Sequence, residues 1–329
     1  MVKEHLGHFN IRVQSFHPKR YSQAELTAAK ELIDWADLID MHYWKSGRAI
    51  LNHFAVTKPM IVCHFNPYNL TEENWSDTYA GIVVGNEEMH RQIPYSHLVP
   101  YGVDLNHFTW LPESEYLENK NILMVVNRIE GKKGVLPVAL ACKQLGVRLT
   151  LVGNISKPDY FEEVINTGVV DFYENVSEQE LVGQYHRAMI NVCNSEDNFE
   201  SGTLPILEAM ACGVPVLTRT VGHVPDLYNG SNLELNPNQS EDVEALTKLL
   251  KELIANETYR VKLRERAWSS VKDRTDRKIA ERMSKVYYKY AYPGHEPLIS
   301  VVVPTKDRPA NLIEVLAGIE SQTYQAIEI

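Results

Sequence analysis

Short apolar runs and longer stretches with an apolar residue at every third or fourth position alternate along most of the chain. The short runs predict buried β-strands, and the longer stretches predict amphipathic helices. Because strands and helices follow each other in turn, we expect an α/β fold with parallel sheets, in which ligands bind at the carboxyl ends of the strands. The predicted strands span residues 38–42, 59–64, 81–84, 122–126, 148–152, 169–172, 190–193 and 214–217.

Helix boundaries are marked by local start and stop signals. Ser22 followed by Glu25 forms a capping box, which predicts a helix beginning directly after Ser22. The apolar spacing also predicts helices over residues 135–145, 158–166 and 178–189. Between residues 240 and 290 the spacing predicts three further helices, and we expect the last of them to return to the first domain.

The stretch from residue 195 to residue 217 combines several signals. A polar turn leads into a helix that begins near Thr203 and ends before Gly213, and the strand predicted at 214–217 follows. Gly202 lies directly before the helix, where it allows a ligand to approach the backbone closely. Since the N-terminus of a helix has unpaired N–H groups and a partial positive charge, this stretch can bind an anion.

Two glutamates accompany this helix. Glu200 precedes it, near its positive end, and Glu208 borders the apolar stripe within it. A carboxylate beside a buried stripe is unfavourable unless a donor hydrogen-bonds to it. An ordinary crossover helix with Glu208 on its solvated edge would explain this position alone, but the combination of signals favours a ligand site.

A basic turn lies between the strand at 122–126 and the helix at 135–145. Arg128 and Lys133 are five residues apart in a turn with two glycines, so that both cations can point at one diphosphate. A solvated basic turn is the simpler alternative.

Together the stretch 195–217 and the turn 127–134 resemble the donor site of retaining nucleotide-sugar glycosyltransferases of family 4, which have the GT-B fold. The resemblance extends over residues 37–290. It implies two Rossmann-like domains that face a cleft. It also implies transfer of a sugar from a nucleotide-diphosphate donor to an acceptor hydroxyl with retention, without a required metal.

The resemblance also assigns roles to residues of this sequence. His64 and Glu200 would be the catalytic residues that flank the transferred sugar, and Glu208 would hold the ribose hydroxyls. The other donor-binding positions are Arg128, Lys133, Gly202, Thr203, Leu204, Asn175 and Val176.

The sequence departs from the family pattern at five places. Asn127 replaces the first glycine of the turn that carries Arg128 and Lys133. Phe65 follows His64, where the family often has an aspartate. Tyr101 replaces the usual asparagine in the Gly-Val-Asp turn that leads to the second domain. Glu174 replaces a glycine in the turn that contacts the base, and Thr203 stands where the family usually has the glycine of the phosphate loop.

We divide the chain into four parts on this basis. Residues 1–105 form the acceptor-side domain, which lacks the family's usual first strand and glycine loop, and residues 106–275 form the donor-binding domain. Residues 276–296 are a returning helix and a linker. Residues 297–329 resemble the opening of an inverting family 2 glycosyltransferase with the GT-A fold.

The composition limits the classes of partner and the location that we expect for the protein. With 33 basic and 43 acidic residues the net charge is −10, which argues against a nucleic-acid partner. The four cysteines lie far apart without zinc-ligand spacing, so we expect reduced thiols and a cytoplasmic protein. No apolar run has the length of a membrane helix. Peripheral membrane contact and self-association through residues 297–329 are both compatible with the sequence.

The expected donor is a UDP- or GDP-sugar, the expected acceptor is a glycan or a lipid-linked acceptor, and the expected process is glycan or polysaccharide biosynthesis. Two alternatives stay open at this point. A nucleotide-sugar epimerase with the GT-B fold would share the donor site but need no acceptor. A catalytically silent sugar-nucleotide-binding module would bind the donor without turning it over.

Overall fold

The structure is a computed structural model. It describes residues 9–13, 21–42, 44–64, 75–196, 199–293 and the backbone of two short strands at 299–300 and 327–328. Two large parallel sheets with helices around them account for most of the described chain, as the alternating pattern predicts.

The first sheet has four parallel strands in the order β1-β2-β3-β4. These are β1 (Ile39–Met41), β2 (Met60–His64), β3 (Gly81–Val84) and β4 (His97–Leu98). The helices of this part are α1 (Gln23–Trp35), α2 (Trp44–His53), α3 (Trp75–Thr78) and α4 (Glu87–Gln92). Strands β2 and β3 are buried along their whole length, which explains why they read as continuous apolar runs.

The second sheet has six parallel strands in the order β10-β9-β8-β5-β6-β7. These are β5 (Asn121–Ile129), β6 (Leu149–Ile155), β7 (Val170–Tyr173), β8 (Ala188–Cys193), β9 (Val216–Thr218) and β10 (Glu234–Leu235). The helices are α5 (Glu113–Tyr116), α6 (Val135–Leu145), α7 (Pro158–Ile165), α8 (Glu178–His186), α9 (Leu204–Ala211), α10 (Val224–Leu227), α11 (Val243–Ala255) and α12 (Glu257–Val271).

Local signals fix several helix ends. The capping box at Ser22 and Glu25 is present as predicted, and Ser177 forms a second one with Glu180. Thr203 is the N-cap residue of α9, and Gly213 follows this helix with a φ of 72°. Because this left-handed conformation suits glycine, the helix ends where the sequence predicts.

A long C-terminal helix, α13 (Asp276–Ala291), packs on the first sheet. Its buried Met283 and Val286 join the core formed by Ile61 and Val83. The chain therefore leaves the first sheet, builds the second one and comes back, which ties the two sheets together.

The last described strands form a separate pair. Strand β11 (Ile299–Ser300) lies parallel to β12 (Ile327–Glu328), and the two make a sheet of their own. Most of the segment 297–329, for which a GT-A opening is expected, lies outside the described residues, as does Phe65. Among the described helices, none combines the length and the apolar character needed to cross a membrane.

Candidate functional site

A buried ion pair lies where the chain leaves β8. The Lys133 ammonium donates to the Glu200 carboxylate, and both side chains are largely buried. The Ser195 hydroxyl donates to the same carboxylate oxygen, Oε1, over 2.8 Å. The structure thus brings together the predicted cation and the predicted catalytic carboxylate, which are 67 residues apart in the sequence.

Glycine at position 134 makes this pairing sterically feasible. A single 3₁₀ turn (Gly131–Lys133) follows β5, and Gly134 then adopts a φ of 62°. A Cβ atom at Gly134 would overlap with the backbone carbonyl of Asn194. Because glycine has no Cβ, the turn after β5 and the loop after β8 can lie against each other.

Three cations surround the ring of Phe199. The charged groups of Arg128, Lys132 and Lys133 lie 5.7, 5.2 and 5.0 Å from the ring centroid. Arg128 also lies 3.3 Å from the Glu130 carboxylate, and about half of its side chain is exposed. These distances are within the range of cation–π attraction, so the aromatic ring holds a compact positive cluster beside Glu200.

Helix α9 begins at Leu204, shortly after Phe199 in the sequence. No described side chain caps the helix. Pro205 has no N–H, and the Ile206 N–H donates to the Thr203 carbonyl over 3.0 Å, so of the first three helix positions Leu204 is the one that offers an N–H to a ligand. Thr203 is buried, and its hydroxyl lies 3.3 Å from Nε2 of His223. Leu204, the first residue of the helix, keeps 44 % of its surface exposed.

His223 is a neutral member of the site. Burial and, to a smaller extent, the positive charge of the nearby Arg274 lower the pKa of its imidazole to about 3. Among the described residues, its Nδ1 atom has no hydrogen-bond partner. This histidine therefore contributes shape and a hydrogen bond at Thr203 rather than charge.

Glu208 is held by a tyrosine. The Tyr185 hydroxyl donates to Oε2 of Glu208 over 2.7 Å. Burial raises the pKa of Glu208, and this hydrogen bond opposes the shift. Glu208 is therefore partly buried and not on a solvated edge of the helix, and its Oε2 atom accepts a hydrogen bond from Tyr185.

His64 ends β2 on the other side of the cleft. Its buried ring lies 4.8 Å from the ring of Trp75. The residue pairs in register with Val84 of β3. Two residues beyond Val84, the Asn86 side-chain amide donates to the backbone carbonyl of Ser201 over 2.8 Å. The end of β2 is thus linked, through β3, to the loop that carries Glu200.

The turn after β7 contains the predicted base-contacting residues. Asn175 has a φ of 54°, and it is the non-glycine residue with a positive φ in the described part of the chain. Asparagine tolerates this conformation better than most residues. The left-handed position therefore falls one residue after Glu174. Val176 packs on the same core as Tyr185.

Tyr101 joins the two halves of the site. Its hydroxyl donates to Ser201 Oγ over 3.0 Å, and its ring stacks edge-on at 5.3 Å from His223. A Cβ atom on Gly202 or on Gly85 would overlap with the tyrosine ring. The two glycines, one from each half of the molecule, therefore form the slot that this ring fills.

Sequence reasoning gave Ser195, Tyr185 and His223 no role in the site. A serine at a loop start or a tyrosine on an amphipathic helix carries no signal of its own, since both are common there. Tyr101 replaces the family's usual asparagine, and this departure is the sequence signal that marks the position.

Residues 108–269 match the family model described as glycosyl transferases group 1. In sequence the chain is similar to a probable sucrose-phosphate synthase of Thermosipho melanesiensis, with 25 % identity over 228 residues. That match covers 60 % of this chain and 54 % of the relative, so the chain aligns with only about half the length of this curated relative.

Solved structures show the fold. HepE from Anabaena in complex with UDP and glucose superposes with a TM-score of 0.70 at 17 % identity, covering 87 % of this chain and 89 % of that one. Sucrose-phosphate synthase from Thermosynechococcus elongatus gives 0.64 at 18 % identity, covering 85 % and 82 %. The predicted GT-B architecture, with two parallel α/β sheets, is therefore confirmed.

Proposed function

We propose that this chain, whose residues 108–269 match the group 1 glycosyl transferase model, transfers a sugar from a UDP-sugar to an acceptor hydroxyl with retention of configuration. The observation that carries the proposal is the joint placement of the Lys133–Glu200 pair, the cation cluster at Phe199 and the open N-terminus of α9. All three features lie at the carboxyl ends of strands of the second sheet, where parallel α/β folds bind ligands.

The positive cluster suits a diphosphate. Lys133, Lys132 and Arg128 supply charge from one side, and the Leu204 N–H at the start of α9 supplies a backbone hydrogen-bond donor. As the bond between sugar and diphosphate breaks, negative charge grows on the leaving nucleotide. Fixed cations and backbone donors that already face this position stabilise that charge.

The carboxylates of Glu208 and Glu200 can each bind one sugar of the donor, the ribose and the transferred sugar respectively. Tyr185 engages Oε2 of Glu208, so Oε1 is the oxygen that accepts from a ribose hydroxyl. Ser195 and Lys133 hold Glu200 in front of α9, and we assign Glu200 together with His64 to the transferred sugar. Asn175 and Val176 would border the base. HepE is described in complexes with UDP and with UDP-glucose, which supports a uridine donor.

The decisive experiment uses UDP-glucose and the full chain with water as the acceptor. We expect slow release of UDP, and we expect the glucose that appears first to have the anomeric configuration of the donor when it is followed by NMR. An initial product of inverted configuration would overturn retention. Release of an epimer of UDP-glucose without free UDP would show that the chain is an epimerase and not a transferase.

Binding alone is tested by isothermal titration with UDP, GDP and uridine. We expect UDP to bind more tightly than GDP, and uridine to bind weakly because it lacks the diphosphate. If neither nucleotide binds, the donor-site assignment is wrong.

A further inference from the structure

Asp40, His42 and Cys63 form a cluster of three different metal-ligand types on the first sheet. One ligand atom from each of them lies within 4.8 Å of the other two. Asp40 and His42 belong to β1 and its end, and Cys63 belongs to the neighbouring strand β2. The cluster was invisible to sequence spacing because its cysteine comes from a different strand.

The two separations from the Asp40 carboxylate are close to those of ligands around one tetrahedral ion. Cys63 Sγ lies 3.3 Å from Asp40 Oδ1, and His42 Nε2 lies 3.3 Å from Asp40 Oδ2. Zinc bonds of about 2.3 Å to sulfur and about 2.0–2.2 Å to nitrogen and oxygen place tetrahedral ligand atoms roughly 3.4–3.6 Å apart. The His42 side chain is 72 % exposed, so it has room to move toward a bound ion.

The surroundings supply the other parts of a metal site. The Tyr287 hydroxyl donates to Asp40 Oδ2 over 2.6 Å and so orients the carboxylate from α13. Such outer hydrogen bonds are typical of bound carboxylates. Asp40 and His42 also line a cavity of about 820 Å³, which offers an entry path and room for a water as the fourth ligand.

We propose that Asp40, His42 and Cys63 bind a divalent cation of the zinc type, with Tyr287 as the outer hydrogen-bond donor. A thiol, an imidazole and a carboxylate together favour Zn²⁺ over Mg²⁺ or Ca²⁺, which prefer oxygen ligands alone. On binding, the Cys63 S–H bond breaks, the sulfur electron pair goes to the metal and the proton goes to solvent. The ion would join β1, β2 and, through Tyr287, α13.

A network without metal is the rival explanation, since three donors can also satisfy the Asp40 carboxylate. Cobalt separates the two, because Co²⁺ occupies zinc sites and a cobalt–thiolate bond has a charge-transfer absorption. We expect the metal-stripped full chain to develop this absorption up to one Co²⁺ per chain, and we expect Zn²⁺ to abolish it. A chain that never shows the band overturns the proposal.

Variants identify the ligands. Cys63→Ser should remove the charge-transfer band, whereas Cys142→Ser, at a buried thiol on α6, should keep it. A band that survives in Cys63→Ser contradicts the proposal. His42→Ala should weaken Co²⁺ binding at least tenfold and should fold normally, because the side chain is mostly exposed. His53→Ala is the matched control.

Thermal unfolding gives an independent readout. Added Zn²⁺ should raise the melting temperature of the wild-type chain, because a ligand that binds only the folded state stabilises it. The same addition should leave His42→Ala unchanged. Equal shifts in both proteins would overturn the assignment. Tyr287→Phe should bind Co²⁺ about 10- to 100-fold more weakly, as expected for an outer hydrogen bond.

Discussion

Lys133 and Glu200 depend on each other because both are withdrawn from water. Removing one partner of a buried ion pair leaves the other charge uncompensated, and this costs about 3–5 kcal/mol of unfolding free energy. We therefore expect Lys133→Met to be strongly destabilised in urea unfolding. The double variant Lys133→Met/Glu200→Gln should recover most of the loss, because no buried charge is left.

The matched control for this pair is Lys132→Met. Lys132 lies near the same Phe199 ring, but its side chain is exposed, so its loss should change the unfolding free energy by less than about 1 kcal/mol. If the double variant is as unstable as the single one, the pair does not act as a coupled unit.

We expect the Glu208 carboxylate to lower the unfolding free energy of the chain and to strengthen UDP binding. Its pKa is raised in the folded state by burial, so its contribution to stability is fully present below the pKa of the unfolded chain, about 4.3. That contribution is lost as the pH rises through the raised pKa. Glu208→Gln removes the titration and can still accept from Tyr185. We expect the variant to gain stability relative to wild type between pH 4 and pH 8.

The same variant should bind UDP more weakly. A charge-assisted hydrogen bond to a ribose hydroxyl is worth about 1.5–3 kcal/mol, which corresponds to a loss of roughly 10- to 150-fold in affinity. Titration calorimetry with UDP measures it, and Glu163→Gln on α7 is the control. Unchanged UDP affinity would show that Glu208 does not touch the ribose.

At the scale of elements, the loop before α9 is shaped by the Tyr101 ring. A methyl group on Gly202 would overlap with this ring, whereas one on Gly131 meets nothing within 4 Å. We expect Gly202→Ala to weaken UDP binding and lower the melting temperature, and Gly131→Ala to do neither. Adding Tyr101→Ala to Gly202→Ala should restore part of the affinity, because the space of the ring becomes free.

Simple additivity of the two changes would argue against this contact. Tyr101→Phe is the conservative control, since it keeps the ring and removes only the hydrogen bond to Ser201. It should leave the effect of Gly202→Ala intact.

Helices with strong end signals could be predicted closely from the sequence. Helix α6 spans Val135–Leu145 as predicted, because glycines mark both of its ends. The helix predicted over 178–189 ends at His186 instead, and β8 begins at Ala188. Apolar residues 188 and 189 fit a helix or a strand equally well, and pairing with β5 decides between them. Strand β10, with two residues, carries no periodic signal.

The residues proposed for the candidate site come from the sequence, but the contacts between them do not. Arg128, Lys133, Glu200 and Glu208 follow from motifs within short stretches of sequence. The pairing of Lys133 with Glu200 and the slot for Tyr101 join residues about 67 and 100 positions apart. Such contacts depend on how the loops after β5 and β8 pack, and no local pattern records that packing.

At the scale of the whole molecule, the two sheets are linked at several points around the cleft. Val103 forms a bridge with Thr275, and the Glu87 backbone N–H donates to the Asp226 carboxylate over 2.9 Å. With the contacts of Asn86 and Tyr101, these links hold the loop of Glu200 against the first sheet. The geometry of the proposed donor site therefore depends on both sheets.

The C-terminal segment should be dispensable for donor binding. Strand β11 pairs with β12 and with neither large sheet, and the residues assigned to the donor lie between positions 64 and 208. We expect a chain of residues 1–293 to bind UDP within about twofold of the full chain in titration calorimetry. Truncation after Arg274 is the contrasting variant. It removes α13 and uncovers Ile61 and Val83 of the first sheet, so it should fail to fold. If the chain 1–293 folds but loses UDP binding, residues 294–329 belong to this donor site and do not begin a second enzyme.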